Sequence, residues 1–311
     1  MTRIGSSDLD ILPWVFGGNV FGWTADRSTS FALLDAFVDG GGDLIDTADG
    51  YSHWVPGNHG GESEAIIGEW LASRGNRDRV LVATKVGTHP DFKGLRPDTI
   101  HRAVDASLTR LRTDHIDLYY AHFDDPDVPM AEIVGTLSGL VDVGKVRYIA
   151  PSNFSAARID EWSDVTKANG LHPAVALQPQ YNLMERGFET NGLRDAALRH
   201  DLGVMTYWSL ASGFLTGKYR PGVIVDSPRA DAVAAYLDAR GEAVLKALDD
   251  ISSSRGVQPA SVALAWLRSQ PAVVAPIASA SRVEQMPALF AGATLELTPD
   301  EVAALSAASA A

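Results

Sequence analysis

Eight times along the chain a short, almost uninterrupted apolar run precedes a segment whose apolar residues recur three and four apart. The runs fall at residues 12–16, 43–48, 79–86, 116–121, 146–150, 174–177, 203–207 and 272–277. Runs this short and this uniformly apolar suit parallel strands covered on both faces. The segments between them suit helices. One is capped at Ser28, carries Phe31, Leu34 and Phe37, and stops at Gly40, Gly41 and Gly42. A second covers 62–74, and a third opens at Pro97 and runs through Ile100, Val104, Leu108 and Leu111. A fourth passes through Ile133, Leu137 and Leu140 to Gly144, and others start at Ser155 and cover 192–200. Val244 with Leu248, and Val262 with Leu267, mark two more; Thr298–Pro299 opens an alanine-rich helix expected to end the chain. Segment 211–228 reads as less regular. No Pro-, Ser- or charge-rich linker divides the sequence. The reading is an α/β fold: one (β/α)8 (TIM) barrel domain over residues 1–311, with extra helices near the C-terminus. A doubly wound sheet is the competitor, and no G-x-G-x-x-G follows the first strand to support it.

Composition narrows the partners. With no cysteine, the chain has no disulfide framework, thiolate metal site or cysteine nucleophile. The formal charge of −13 opposes nucleic acid and anionic membrane surfaces as bulk partners. No apolar run approaches the ~20 residues of a membrane span, and the first residues lack a signal-peptide core. A cytoplasmic protein acting on a small molecule is expected. Oligomeric state is not legible.

In a barrel the C-terminal strand ends form one ring, and chemistry collects there. Here the ring reads Asp46 at the second strand, Tyr51 on its loop, Lys85 at the third strand and His122 at the fourth. The next three strands bring Ser152 with Asn153, Gln178, and Tyr207. An ammonium at the end of a buried strand requires a carboxylate, and Asp46 is on the neighbouring strand. A phenol titrates at about pH 10. A nearby Lys85 should lower that value and improve Tyr51 as a proton donor. His122 can donate a hydrogen bond to a carbonyl oxygen. Ser152 has no histidine partner on its own strand, so a nucleophile–base pair is not indicated.

These residues resemble the aldo-keto reductases, along nearly the whole chain. The likeness is carried by Ile45-Asp46-Thr47-Ala48-Asp49-Gly50-Tyr51, Thr84-Lys85-Val86, Asp117-Leu118-Tyr119-Tyr120-Ala121-His122 and Ser152-Asn153-Phe154. It continues in Gln178-Pro179-Gln180-Tyr181-Asn182-Leu183, Leu215-Thr216-Gly217-Lys218-Tyr219, and Ala280-Ser281 with Glu284-Gln285. It implies a catalytic tetrad of Asp46, Tyr51, Lys85 and His122. The implied reaction is reversible reduction of an aldehyde or ketone by NADPH, with Tyr51 supplying the proton. The resemblance also implies cofactor contacts. Asp46, Ser152, Asn153 and Gln178 belong to the nicotinamide end, with Tyr207 stacked on the ring and Gly18 and Asn19 beneath it. The backbone of Trp208, Ser209 and Leu210, with Lys218 and Arg229, faces the pyrophosphate. Ser279, Ser281, Arg282 and Gln285 lie at the adenosine end, where Arg282 would favour NADP(H) over NAD(H).

The chain departs from the family pattern in three places. Ala288 and Leu289 stand where a Glu and an Asn often hold adenine, Trp208 replaces the Ser of Tyr-Ser-Pro-Leu, and Pro151 precedes Ser152. Trp23, Tyr51, Trp54, His122 and Phe123 are the expected substrate-pocket residues, with loop 52–61 unusually long. His53 and His59 lack further ligands at metal-site spacing, so no metal is expected. No long C-terminal loop like that of steroid-type members follows the last strand, so the likeness is closer to bacterial and channel-subunit-like members. The alternative function is an NADPH-binding sensor subunit with little turnover. A metal-dependent hydrolase, the third reading, would need a first-strand histidine pair that is missing.

Overall fold

The computed structural model describes residues 1–310 except Pro221 and Ile224. Those two positions, inside the segment expected to be irregular, and Ala311, at the end of the expected last helix, lie outside the described residues. Twelve strands are described: β1 (Thr2–Arg3), β2 (Asp10–Ile11), β3 (Val15–Gly17), β4 (Leu44–Asp46), β5 (Leu81–Val86) and β6 (Thr88–His89). They continue with β7 (Phe92–Lys93), β8 (Ile116–Ala121), β9 (Val146–Pro151), β10 (Ala176–Leu177), β11 (Gly203–Thr206) and β12 (Val273–Ala278). Eight are parallel neighbours in the order β10-β11-β12-β3-β4-β5-β8-β9. Bridges Ile149–Ala174 and Ser152–Gln178 join the last strand to the first, giving a nearly closed (β/α)8 barrel.

The helices are α1 (Arg27–Asp39), α2 (Glu62–Arg74), α3 (Pro97–Leu111), α4 (Met130–Asp142), α5 (Ala156–Asn169) and α6 (Leu193–Arg199). After β11 come α7 (Ala230–Ala234), α8 (Ala239–Arg255) and α9 (Pro259–Arg268); after β12, α10 (Met286–Thr294) and α11 (Pro299–Ala308). The extra helices are tied back by polar contacts. Arg255 forms two bonds to Glu301, at 2.7 and 2.6 Å, and Trp266 Nε1 donates to Ser306 Oγ at 3.0 Å.

Two local readings change. The α1 cap is Asp26, which accepts from the Thr29 amide at 2.8 Å, because the helix begins one residue before Ser28. Two short antiparallel hairpins, β1–β2 and β6–β7, were not expected, since two-residue strands leave no periodicity to read. The first carries Ile4, Leu9 and Ile11 into the inner core. The second follows β5 directly and matters below.

Period-two alternation decides what faces the barrel interior. Leu44 in β4, Ala83 in β5 and Leu118 with Tyr120 in β8 belong to the inner core. Their neighbours Ile45, Val82 and Tyr119 belong to the outer core under the helices. Two residues after Leu44 comes Asp46; two after Ala83, Lys85; two after Tyr120, His122. Each polar residue is therefore the next inward position after an apolar one. The register pairs Asp46 with Ala83 and Lys85 with Tyr120, so the three collect at one rim.

Candidate active site

Lys85 is fully buried, and its ammonium uses all three donors. It donates to Asp46 Oδ2 at 2.6 Å, to the Thr47 carbonyl at 2.7 Å and to the Tyr51 hydroxyl at 3.0 Å. Asp46 Oδ1 accepts from Gln178 Nε2 at 2.8 Å, so a residue from across the barrel holds the other face of the carboxylate. Burial works against the Lys85 charge, but Asp46 and Tyr51 outweigh it and raise the lysine pKa. Burial also raises Asp46, against the pull of Lys85 and Gln178. The raised lysine pKa keeps the proton on nitrogen, so Asp46 and Tyr51 face an ammonium.

Tyr51 shows where one expectation meets a competing force. Lys85 does pull the phenol down, yet burial and the Asp46 charge push it up, and the net shift is upward. The site therefore keeps a firmly protonated phenol hydrogen-bonded to an ammonium. His122 is neutral, because burial and the Lys85 charge hold its pKa well below the usual imidazole value. Its Nδ1 lies 3.2 Å from Thr88 Oγ1. Its ring stands 6.0 Å from the Tyr51 ring, near perpendicular.

Ser152, Asn153, Gln178 and Tyr207 come together beside this group. Ser152 Oγ donates to the Gln178 carbonyl at 2.9 Å, Asn153 Nδ2 donates to the His122 carbonyl at 2.9 Å, and the Tyr207 hydroxyl donates to Asn153 Oδ1 at 2.7 Å. Asn153 holds a left-handed conformation (φ 57°), which turns its amide back across the rim.

The next sector runs through the loops after β11, β12 and β3, which are adjacent in the sheet. Trp208, Ala211, Ser212 and Gly213 all have positive φ, and such turns can point backbone N–H groups at an anion. Ser209 Oγ turns inward to the Thr206 carbonyl at 2.8 Å, leaving only its backbone for a ligand. Leu210 accepts the Gly213 amide at 2.8 Å. The Lys218 ammonium sits over the Tyr219 ring at 4.9 Å, and Arg229 over the Trp23 ring at 5.2 Å. Among the described residues Lys218, Arg229 and Arg282 have no carboxylate partner, although the chain carries thirteen excess negative charges. Unpaired cations around left-handed turns fit a dinucleotide phosphate backbone. Ser279 Oγ donates to Asn19 Oδ1 at 2.7 Å and ties the β12 loop to the β3 loop, where Gly18 accepts from Ser63 at 2.8 Å. Gln285 Oε1 accepts from the Ser281 and Arg282 amides at 2.8 and 3.2 Å, so it shapes that turn. Leu289 is a core residue and Ala288 offers only its carbonyl, already used by Ser261.

Around the tetrad the aromatic residues converge. Trp54 packs edge-on against Trp23 at 5.7 Å and against Tyr51 at 6.2 Å, while Phe123 stacks on His122 at 5.1 Å. Trp54 and Phe123 are 44% and 52% exposed, as walls of an open cleft would be. His53 is used locally, its Nδ1 2.7 Å from the Gly50 carbonyl.

The family model of the aldo/keto reductase family matches residues 13–310, almost the whole barrel. The chain belongs to the aldo/keto reductase family. It is thus a member of an oxidoreductase family whose proteins generally use a nicotinamide cofactor, typically NADPH. It is 30% identical to Protein tas of Escherichia coli (strain K12), over 98% of this chain and 96% of that protein. It is 34% identical to the uncharacterized oxidoreductase YrpG of Bacillus subtilis (strain 168), over 92% and 88%. A probable voltage-gated potassium channel subunit beta of Oryza sativa subsp. japonica is 32% identical over 91% and 88%. No helix among the described residues of this aldo/keto reductase family member is long and apolar enough to cross a membrane.

Sequence reasoning missed several supporting residues. Asn182 is buried and bridges the Trp208 carbonyl at 2.9 Å and the Met184 amide at 2.7 Å. Glu64, also buried, accepts from Arg110 Nε at 2.6 Å behind the β5 strand end. Asn182 was visible within its motif. Glu64 looked like one more charge on a helix start.

Proposed function

We propose that this reductase converts an aldehyde or ketone to an alcohol with NADPH, using Tyr51 as the proton donor. The reading rests on one observation above the others: a single buried ammonium bonds Asp46 and Tyr51 at once. When bound, NADPH would supply the hydride. The chain's own residues do the rest. Ser152, Asn153 and Gln178 would hold the carboxamide, Tyr207 would stack on the nicotinamide, and Lys218 and Arg229 would meet the pyrophosphate. Arg282 would clamp the 2′-phosphate and set the preference for NADP(H).

As negative charge grows on the carbonyl oxygen, Tyr51 hands over its proton. Lys85 stabilises the phenolate left behind, which is most valuable at that moment. Asp46 keeps Lys85 charged and aimed. His122 donates from Nε2 to the same oxygen and orients the carbonyl. The Trp23, Trp54 and Phe123 rings favour substrates with flat apolar bodies.

Oxidation of NADPH across a panel of aldehydes and ketones tests the reading. Tyr51→Phe should lower kcat by roughly a hundredfold to ten-thousandfold with NADPH affinity nearly unchanged; undiminished turnover would remove Tyr51 as the acid. The likeness to a channel beta subunit supports a second reading, a cofactor sensor, which tight NADPH binding without oxidation by any carbonyl would favour.

A further inference from the structure

Behind His122 lies a buried carboxyl that the proposed reaction does not use. Asp49 sits in the turn between Asp46 and Tyr51, fully buried. Its Oδ2 accepts the Gly87 amide at 3.1 Å, and its Oδ1 lies 3.1 Å from Thr88 Oγ1. The same Thr88 oxygen is 3.2 Å from His122 Nδ1. The β6–β7 hairpin carries Thr88 to this spot, and Gly50 makes room: a Cβ there would lie 2.5 Å from Thr88 Oγ1. Three groups thus stand in a row, and the middle one owns a single proton.

That proton can point only one way. If Asp49 is ionised, the Thr88 hydroxyl donates to the carboxylate, and His122 satisfies Thr88 by donating from Nδ1. Neutral imidazole carries one N–H, so Nε2 is then a bare lone pair. If Asp49 is protonated, its hydroxyl donates to Thr88, Thr88 donates to Nδ1, and the imidazole proton sits on Nε2. Among the described residues Nε2 has no hydrogen-bond partner, and it is not sealed from solvent. It is the nitrogen left to meet a substrate. Only the Nε2–H form can donate to a carbonyl oxygen; the other repels it.

We propose that Asp49 and Thr88 are positioning residues that set the tautomer of His122, presenting Nε2–H when Asp49 holds a proton and a lone pair when it does not. The proposal rests on the reading of His122 as the group that meets the carbonyl. Loss of one proton from Asp49 to solvent reverses the Thr88 hydroxyl, and solvent carries the imidazole proton from Nε2 to Nδ1. The net change is one proton released.

The surroundings place this equilibrium in the physiological range. Burial, and then the neighbouring Glu64 carboxylate on α2, push Asp49 up to about 7, against the Gly87 amide, Thr88 and the Arg110 guanidinium on α3. Tyr119 from β8 and Tyr51 from the same loop also face Asp49, both as neutral phenols with raised pKa. Lys85 is the charge facing His122, and it keeps the ring neutral, so the ring responds by tautomer rather than by charge.

Nitrogen NMR of the full chain labelled at histidine reads the tautomer directly, with His122→Gln identifying the signal. In the wild type the Nδ1 and Nε2 shifts should exchange roles across neutral pH. Asp49→Asn, with its amide nitrogen toward Thr88, should hold Nε2–H at every pH; Thr88→Val should abolish the pH response and Thr88→Ser restore it. Reductase kcat/KM of the wild type should fall roughly tenfold per pH unit above the Asp49 midpoint. That limb should vanish in Asp49→Asn while the alkaline limb from Tyr51 remains. A His122 tautomer that ignores pH in the wild type overturns the proposal, and this result needs no variant to fold. Carbonyl turnover with such an unresponsive tautomer leaves the reductase reading standing. A responsive tautomer in a protein that reduces no carbonyl supports the relay and defeats that reading.

Discussion

Two sectors of the same rim treat charge in opposite ways. At the ends of β4, β5 and β8 every charge is buried and answered: Lys85 spends its three donors on Asp46, Thr47 and Tyr51, and Asp46 takes its second bond from Gln178. Around β11, β12 and β3 the cations Lys218, Arg229 and Arg282 have no carboxylate among the described residues, and two of them rest on aromatic rings. A charge that must act the same way on every turnover is best fixed before the substrate arrives, since preorganised groups need no reorganisation during reaction. A charge that must grip and release a large anion is best left open, because a resident carboxylate would compete for it. On the proposed function, the difference separates a centre built to react from a surface built to bind.

The largest expected effect attacks the balanced sector. Lys85→Met strands the Asp46 carboxylate in the core, and removing one member of a buried pair costs about 3–5 kcal/mol. Urea unfolding should show that loss, and a companion Asp46→Asn should recover much of it while reductase activity stays absent. If the single variant unfolds like the wild type, the sector is not balanced in the sense described. The open sector should behave differently. Arg282→Ala should weaken NADPH roughly tenfold to a hundredfold and NADH hardly at all, with the unfolding midpoint unmoved. Equal losses for both cofactors in a binding titration would contradict a 2′-phosphate clamp. A further effect concerns pH. Asp49 has its folded-state pKa raised to about 7 from an unfolded value of about 4. The native state therefore binds a proton more tightly, so stability should be greatest at the acid end and decline as pH rises between those values. In Asp49→Asn that decline should be shallower; an unchanged slope would show that Asp49 titrates normally.

Much of the rim was legible because alternation in a strand is local. Once residues 43–48, 79–86 and 116–121 are strands, Asp46, Lys85 and His122 each lie two residues past an inward apolar side chain, and short parallel strands leave few architectures. The cap of α1 was misplaced by two residues, since Asp26 and Ser28 both suit the position and only the entering backbone chooses. The β6–β7 hairpin left no signal, and with it went Thr88. Glu64 and Asp49 read as ordinary charges, because nothing in a local pattern announces that a carboxylate will be buried.

Sequence by itself determined the eight-unit alternation, the barrel, the four residues of the rim and the family to which the chain belongs. These follow from spacing and residue type, which fold into position wherever neighbouring strands pair. Tertiary structure alone decided the energetics. It set burial against charge at Tyr51, where burial prevails and raises the phenol's pKa despite Lys85. It left Lys218, Arg229 and Arg282 without a carboxylate partner among the described residues, and it brought Thr88 between Asp49 and His122. Desolvation and distance between residues far apart in the chain fix those outcomes, and neither is a property of any one stretch of sequence.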